Sequence, residues 1–340
     1  MDKVIIVGGG LGGLLLAILL ERACIDYVVL ERSPVAKMPL EGGGVISITS
    51  QIQPLLQQLG ILSLLKDMTK PVSRVTVLEV LQGSGQQPNV CGAIDSAFSL
   101  SRYGYYSLAI SRPELYNVLV DQVPAEKFLL GKQVKDVFQD GAVATCVCVD
   151  GSSYQGIIIG ADGAYSNVRL NLYRHLKDKD LLPTQNYKPM RFEYRALVGM
   201  TKPLDPERFP LVTENHSDTR VLVSRGQRPY TALPYGGQPM VQAGYDAAWL
   251  ANVLYAHSLD PSHHDLEAGL RSYEAARRAE AKHAVESSHQ FGQLLSRPGW
   301  IGKVLRYLVL NCIPQFLLHS LGDRLNHDRP QASFLPKCLI

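Results

Sequence analysis

The chain is sparing in the features that mark specialised classes of protein. Its six cysteines, Cys24, Cys91, Cys146, Cys148, Cys312 and Cys338, include no CxxC pair. Neither a disulfide framework nor a zinc site is therefore indicated, and a reducing, cytoplasmic compartment is expected. A surplus of charge is also missing. The 34 Lys and Arg residues against 31 Asp and Glu leave only +3, with no concentrated basic run, so no nucleic-acid partner is expected. No internal repeat of about 20–50 residues, the period of solenoids and propellers, is present. Nothing resembles a Ser-His-Asp or Cys-His catalytic set. His263-His264-Asp265 lacks helical metal-ligand spacing and follows Pro261-Ser262, which reads as a solvated helix start.

Long apolar runs are scarce, and the first of them is broken by glycine. "VIIVGGGLGGLLLAILL", Val4 to Leu20, carries no charge but falls short of the ~20 residues a membrane span needs. Its five glycines would cost a continuous helix roughly 4–5 kcal/mol relative to alanine. A signal peptide would want a basic leader and a small-residue cleavage site, whereas a lone Lys3 precedes the run and Glu21-Arg22 follows it.

What is present is an ordinary globular composition, 46% apolar and 19% charged over 340 residues, enough for two packed units. Lys3 to Val7 reads as a strand, Gly8-x-Gly10-x-x-Gly13 as a turn, and Leu14 to Arg22 as a helix. Gly8 permits the tight turn, Gly10 admits a pyrophosphate, and Gly13 lets helix and strand pack closely. The phosphates would meet unpaired N–H groups at the helix N-terminus. A second strand, Tyr27 to Leu30, ends in Glu31, 18 residues after Gly13, near the ~20 expected of a carboxylate gripping ribose hydroxyls. Strand, turn, helix, strand and acid in this order predict a dinucleotide site.

Further along, Gly42-Gly43-Gly44 marks another close backbone approach. A helix is expected over Gln51–Leu59 and a strand over Arg74–Leu81. Ser111 should cap a helix with Pro113 in its first turn. Strands follow at Val134–Phe138, Val143–Val149 and Tyr154–Ile159, the last two joined by the turn Asp150–Ser152. "GADGAYSNVR" then offers Asp162 as a compact acceptor beside Gly163, or a simple Asx turn. Strands Phe192–Met200 and Val221–Val223 come next. A helix bearing Ala243, Ala247, Leu250 and Leu254 and a long helix over Leu266–Leu295 complete this part. Trp300 to Gly322 reads as a helix pair broken at Pro314, packed on the protein or, as the alternative, lying in a membrane interface.

These residues resemble the single-component FAD-dependent monooxygenases, nearest to the fungal enzymes that epoxidise or hydroxylate secondary metabolites such as indole diterpenes and meroterpenoids. The resemblance is carried by Gly8, Gly10 and Gly13 with Glu31-Arg32, Arg112 in "SRPEL", Asp162-Gly163, Gly236-Gly237-Gln238 and the tail "LGDRLNHDRPQASFLP". It implies an α/β fold: a Rossmann-like FAD-binding domain, a smaller, shortened β-sheet substrate domain and a helical C-terminal segment. The implied layout is an FAD-binding domain over 1–182, with strands within 72–110 on the substrate side, and a partial substrate sheet over 183–225. The chain would return to the FAD domain over 226–299 and end in C-terminal helices over 300–340.

By the same resemblance Glu31 holds the adenosine ribose, Arg32 the adenine side and Arg112 the phosphates, with Gly44 among the cofactor residues. Asp162 and Gly163 lie near the pyrophosphate and passing NADPH, and Gly236, Gly237 and Gln238 face the isoalloxazine. NADPH would reduce the flavin, O2 would add to give a hydroperoxide, and a hydrophobic substrate would take its distal oxygen. Gly83-Ser84-Gly85 lacks a third glycine, which disfavours flavin oxygenases with a separate NADPH fold. One departure stands out: Gln227 occupies the position where an Asp is expected against the flavin ribityl chain. Arg195, with Tyr194 beside it, is the candidate substrate anchor, or else a surface cation on a sheet edge. Two alternatives stay open: an FAD-binding reductase or dehydrogenase without oxygenation, and a catalytically impaired flavin-binding remnant.

Overall fold

Both faces of the first two strands are apolar, and the chain builds a sheet that covers both. The computed structural model describes residues 1–40, 44–72, 74–79, 89–95, 98–141, 143–183, 238–296 and 299–338. In chain order the elements begin β1 (Val4–Val7), α1 (Leu11–Arg22), β2 (Tyr27–Leu30), β3 (Val45–Ile48), α2 (Gln53–Gln58) and α3 (Leu62–Met68). They continue with β4 (Lys70–Val72), β5 (Arg74–Glu79), β6 (Asn89–Asp95), α4 (Phe98–Tyr103), β7 (Ser107–Ser111), α5 (Arg112–Val120) and β8 (Phe128–Leu129). Then come β9 (Val134–Asp140), β10 (Val143–Cys148), β11 (Ser153–Gly160), α6 (Asn167–Asp178), α7 (Gln238–Leu259), α8 (Leu266–Ser296), α9 (Gly299–Asn311) and α10 (Gln315–Asn326).

The main sheet has the order β8-β2-β1-β11-β10-β9. β1 runs parallel to β2 and β11, with Val4 opposite both Tyr27 and Ile157, while β10 pairs antiparallel with β11 and β9. Val4, Ile6, Tyr27 and Val29 face the cluster built by α1, whereas Ile5, Val7, Val28 and Leu30 pack with Val134, Cys146 and Cys148 on the other side. Two-sided burial is why these strands read as unbroken apolar runs rather than alternating ones. A smaller antiparallel sheet, β3-β7-β4, and the β5-β6 hairpin stand apart from it.

α1 begins at Leu11, three residues before the expected start, because Gly10 is extended (φ −72, ψ 179) and serves as its N-cap. Only Gly12 and Gly13 lie inside the helix. Leu14, Leu15, Ile18, Leu19 and Leu20 are buried to 1% exposure or less, worth about 1.5–3 kcal/mol each, so packing outweighs the two helical glycines. Ser111 caps α5 as expected, closing a capping box in which Glu114 N–H donates to Ser111 Oγ and the Glu114 carboxylate accepts from the Ser111 backbone. The expected Gln51–Leu59 helix is shorter, and α3 and α4 have no counterpart in the sequence reading. Strands expected over 192–200 and 221–223 lie outside the described residues. The helix pair broken at Pro314 is present as α9 and α10.

The tail beyond α10 is tied down by polar side chains. Ala332 N–H donates to Gln58 Oε1 at 2.8 Å, Ser333 N–H to Asn252 Oδ1 at 2.8 Å, and Gln51 Nε2 to Leu325 O at 2.7 Å. The tail thereby joins α2 and α7, and the end of α10 is held beside α2 by Gln51.

Candidate functional site

Three chain segments converge where β1, β2 and β11 end side by side. Parallel pairing puts their C-terminal ends together, the usual location of ligands in open α/β sheets. Gly8 takes φ +108, a left-handed conformation open to glycine. A Cβ there would come within 2.5 Å of Ala161 O and 2.8 Å of Asp162 Cα, so the turn after β1 lies directly on the turn after β11. A Cβ on Gly13 would fall on the Gly8 carbonyl oxygen, and one on Gly9 would reach the Phe128 ring at 2.6 Å. Gly10 differs from all of these. Its nearest neighbour would be Ala161 O at 4.0 Å, so the space in front of it is open.

That space faces the start of α1. The first N–H groups of a helix have no partner within it, and Gly10 brings no side chain to cap them. The helix dipole adds to their preference for an anion. Glu31, at the end of β2, accepts from Gly9 N–H at 2.7 Å through one carboxylate oxygen and from Ser33 N–H at 2.8 Å through the other. It therefore shapes the glycine turn as well as presenting its remaining lone pairs. Gln in its place could accept only one of these bonds and would turn an NH2 toward the other donor. Glu31→Gln should thus destabilise the flavin-free protein by about 1–3 kcal/mol and weaken FAD roughly ten- to a hundredfold. Thermal melts of the apo protein and FAD titration separate the two effects; unchanged values in both would show that Glu31 is only a solvated strand end.

Asp162 takes the turn role that its sequence context offered and leaves an acceptor free beside it. One carboxylate oxygen caps α6, accepting from Asn167 N–H at 2.7 Å and Val168 N–H at 3.2 Å. The other is buried and has no partner among the described residues. A buried acceptor without a donor costs about 1–3 kcal/mol, and a ligand hydroxyl or amide would satisfy it. Gly163 follows with φ +81 and open space around its Cα.

Arg112 opens α5, where its N–H donates to Gly44 O at 2.8 Å. Its guanidinium is exposed and makes only a 3.6 Å contact with Met38 Sδ, with no carboxylate partner among the described residues. Asn117, one helical turn on, holds the loop after β2 by bonding both the N–H and the C=O of Met38, at 2.9 and 3.1 Å. Tyr116 lies between this group and the glycine turn. Burial pushes its hydroxyl pKa up, the Glu31 carboxylate adds to the rise, and Arg112 opposes it. Arg32 is exposed beside Glu31.

Of the remaining candidates, Gln238 is the first residue of α7. The second turn of that helix meets α1, where a Cβ on Gly12 would lie 3.3 Å from Ala243 Cβ. Tyr194, Arg195, Gln227, Gly236 and Gly237 lie outside the described residues. The contribution of Phe128 beside Gly9 and of Asn117 to the loop carried no sequence signal, since both depend on partners distant in the chain.

The open approach at Gly10, the Glu31 carboxylate beside it, a buried acceptor and an exposed guanidinium without a carboxylate partner among the described residues together offer donors and acceptors to a polar, anionic ligand. The chain belongs to the FAD binding domain family, whose model matches residues 1–228. Among the proteins it resembles are the FAD-dependent monooxygenases ctvC of Aspergillus terreus, 30% identical over 206 residues, and nvfK of Aspergillus novofumigatus, 31% identical over 208 residues. Each match covers 59% of this chain but 42% of the relative, so the chain spans less than half of those proteins. Its fold matches HpxO of Klebsiella pneumoniae complexed with FAD and uric acid, with a TM-score of 0.67 and 18% identity, over 95% of this chain and 96% of that one. It also matches p-nitrophenol 4-monooxygenase PnpA of Pseudomonas putida, with a TM-score of 0.65 and 16% identity over 96% and 99%.

Proposed function

We propose that the protein is an FAD- and NADPH-dependent monooxygenase that inserts one atom of O2, as an epoxide or hydroxyl, into a hydrophobic metabolite. The observation that supports the cofactor is the open approach at Gly10 framed by Glu31 and by the unpartnered oxygen of Asp162. Support for the chemistry comes from the shared name of the relatives, FAD-dependent monooxygenase. Bound FAD would supply the redox and oxygen chemistry. The protein's part is to bind and orient. The α1 N-terminus and Arg112 would neutralise the phosphates, Glu31 would fix the ribose, and Asp162 would accept from the ligand while holding α6. Residues 183–225 and Arg195 would face the substrate, and 226–238 would return to the flavin.

A second reading, flavin binding without oxygenation, is favoured by Gln227, which stands where the resemblance expects an Asp. An absorbance spectrum of purified protein, with NADPH added under air, tests both. The monooxygenase reading expects one FAD per chain, NADPH oxidation and product formed in proportion to NADPH consumed. NADPH oxidation with no oxygenated product from any hydrophobic candidate would leave the second reading, and colourless protein that takes up no added FAD would end both.

A further inference from the structure

We propose that α9 and α10 form a mount that lays the protein on an anionic lipid surface. In α9 the inward stripe is Gly302, Arg306 and Leu310, all buried, and it packs over β6, where Leu310 and Asn311 close on Gly92. The opposite stripe is Trp300, Ile301, Val304, Tyr307 and Leu308, spaced along one helical face. All are exposed, Trp300 to 75% and Tyr307 to 60%. α10 has the same division. Inward, the His319 ring lies 4.8 Å from Phe98, Gly322 closes on Tyr103, and Asp323 meets Arg102. Outward, Phe316, Leu317, Leu321 and Leu325 are exposed. Single exposed leucines are ordinary, but nine large apolar side chains on consecutive helices form a surface with a purpose.

Charge identifies the occupant. Asp323 is the only acidic residue between Gly299 and Asn326, and although half exposed it is neutralised by an ion pair with Arg102. Arg102 donates to it through Nε and Nη2, each at 2.6 Å, and Tyr103 Oη donates at 3.0 Å. The Arg102 guanidinium holds its carboxyl down to about 2, so the acid stays charged and engaged at neutral pH. Exposed Lys303 borders the α9 stripe beside Tyr307, and exposed Arg324 borders Leu317 and Leu321 on α10. Aliphatic side chains interspersed with Trp and Tyr, bordered by cations and with the single acid already paired, match acyl chains beneath anionic headgroups, such as those of a cytoplasmic leaflet. A second copy of the chain would instead set like charges against each other. No single helix among the described residues is long and apolar enough to cross a membrane, whereas α9 and α10 together have the length and composition of a span bent by 79°. The inward stripe of each helix, packed on the protein, favours lying along the surface over crossing it.

The proposal stands independently of the flavin chemistry, and its test reads membrane contact directly. The chain has two tryptophans, so Trp249→Phe leaves Trp300 as the sole reporter in the full-length protein. With vesicles of phosphatidylcholine plus phosphatidylserine, Trp300 emission should shift to the blue and be quenched by brominated acyl chains. The protein should float with these vesicles and float less at high salt. The double substitution Val304→Asp with Leu308→Asp should abolish flotation while leaving FAD binding and the thermal midpoint unchanged. Absence of flotation with unshifted Trp300 emission overturns the proposal. So does blue-shifted emission without vesicles: with a concentration-dependent mass it means self-association, and in a monomer it means cover by the chain's own residues. Loss of FAD binding with flotation retained would count against the flavin reading alone.

Discussion

Gly10→Val should yield a folded protein that no longer holds FAD. The backbone at Gly10 is extended, a conformation valine favours. The nearest atom to an added Cβ is Ala161 O at 4.0 Å, so the flavin-free protein has room for the new methyl groups. They would occupy the space before the α1 N-terminus, where a pyrophosphate must approach the N–H groups. Blocking two charge-assisted hydrogen bonds of about 1.5–3 kcal/mol each removes roughly 3–6 kcal/mol of binding. A loss of affinity on the order of a hundredfold to ten-thousandfold follows. FAD titration, with circular dichroism and a melt of the apo protein alongside, checks both halves of the expectation. FAD bound as tightly as by the parent would remove the phosphate assignment.

Gly13→Ala should act in the opposite way, on the fold before the ligand. Its Cβ would fall on the Gly8 carbonyl oxygen, with Ala161 Cβ 3.3 Å away. Neither obstacle is a flexible side-chain end, so α1 must move away from β1 or the turn must open. Overpacking of this kind costs typically 1–3 kcal/mol, and the buried leucines that follow on α1 would lose packing as well. The apo protein should lose at least about 2 kcal/mol, a large fraction of a marginal stability, seen as a lower urea midpoint. FAD, if it still binds, should recover part of that loss by mass action. An unchanged midpoint would show that helix and strand approach less closely than the structure has them.

Much of the nucleotide half was legible because its signals are local. β1, the glycine turn and α1 are contiguous, and their apolar runs and glycine spacing report backbone geometry directly. Ser111 and Glu114 identify a helix start because a capping box closes within three residues. α3 and α4 escaped notice because short helices with mixed faces leave little periodicity to read. Asp162 could be read as a turn residue or a ligand acceptor from "GADG"; the structure shows one oxygen capping α6, while the other is buried without a partner among the described residues.

The candidate site divides along the same line. The sequence by itself determined the strand, glycine turn and helix with an acid at the end of the next strand: Gly8, Gly10, Gly13 and Glu31 are specified by spacing, since each position in a strand-turn-helix unit has a fixed place relative to the next. Only the tertiary structure decided that Glu31 grips Gly9 and Ser33, that Phe128 backs the turn, and that Gly12 gives α7 its close approach at Ala243. It also decided that Asp323 serves Arg102 and Tyr103, and that one face of α9 and α10 is covered while the other is exposed. These depend on contacts between residues far apart in the chain, and hydrophobic periodicity states that a face is apolar without stating what will meet it.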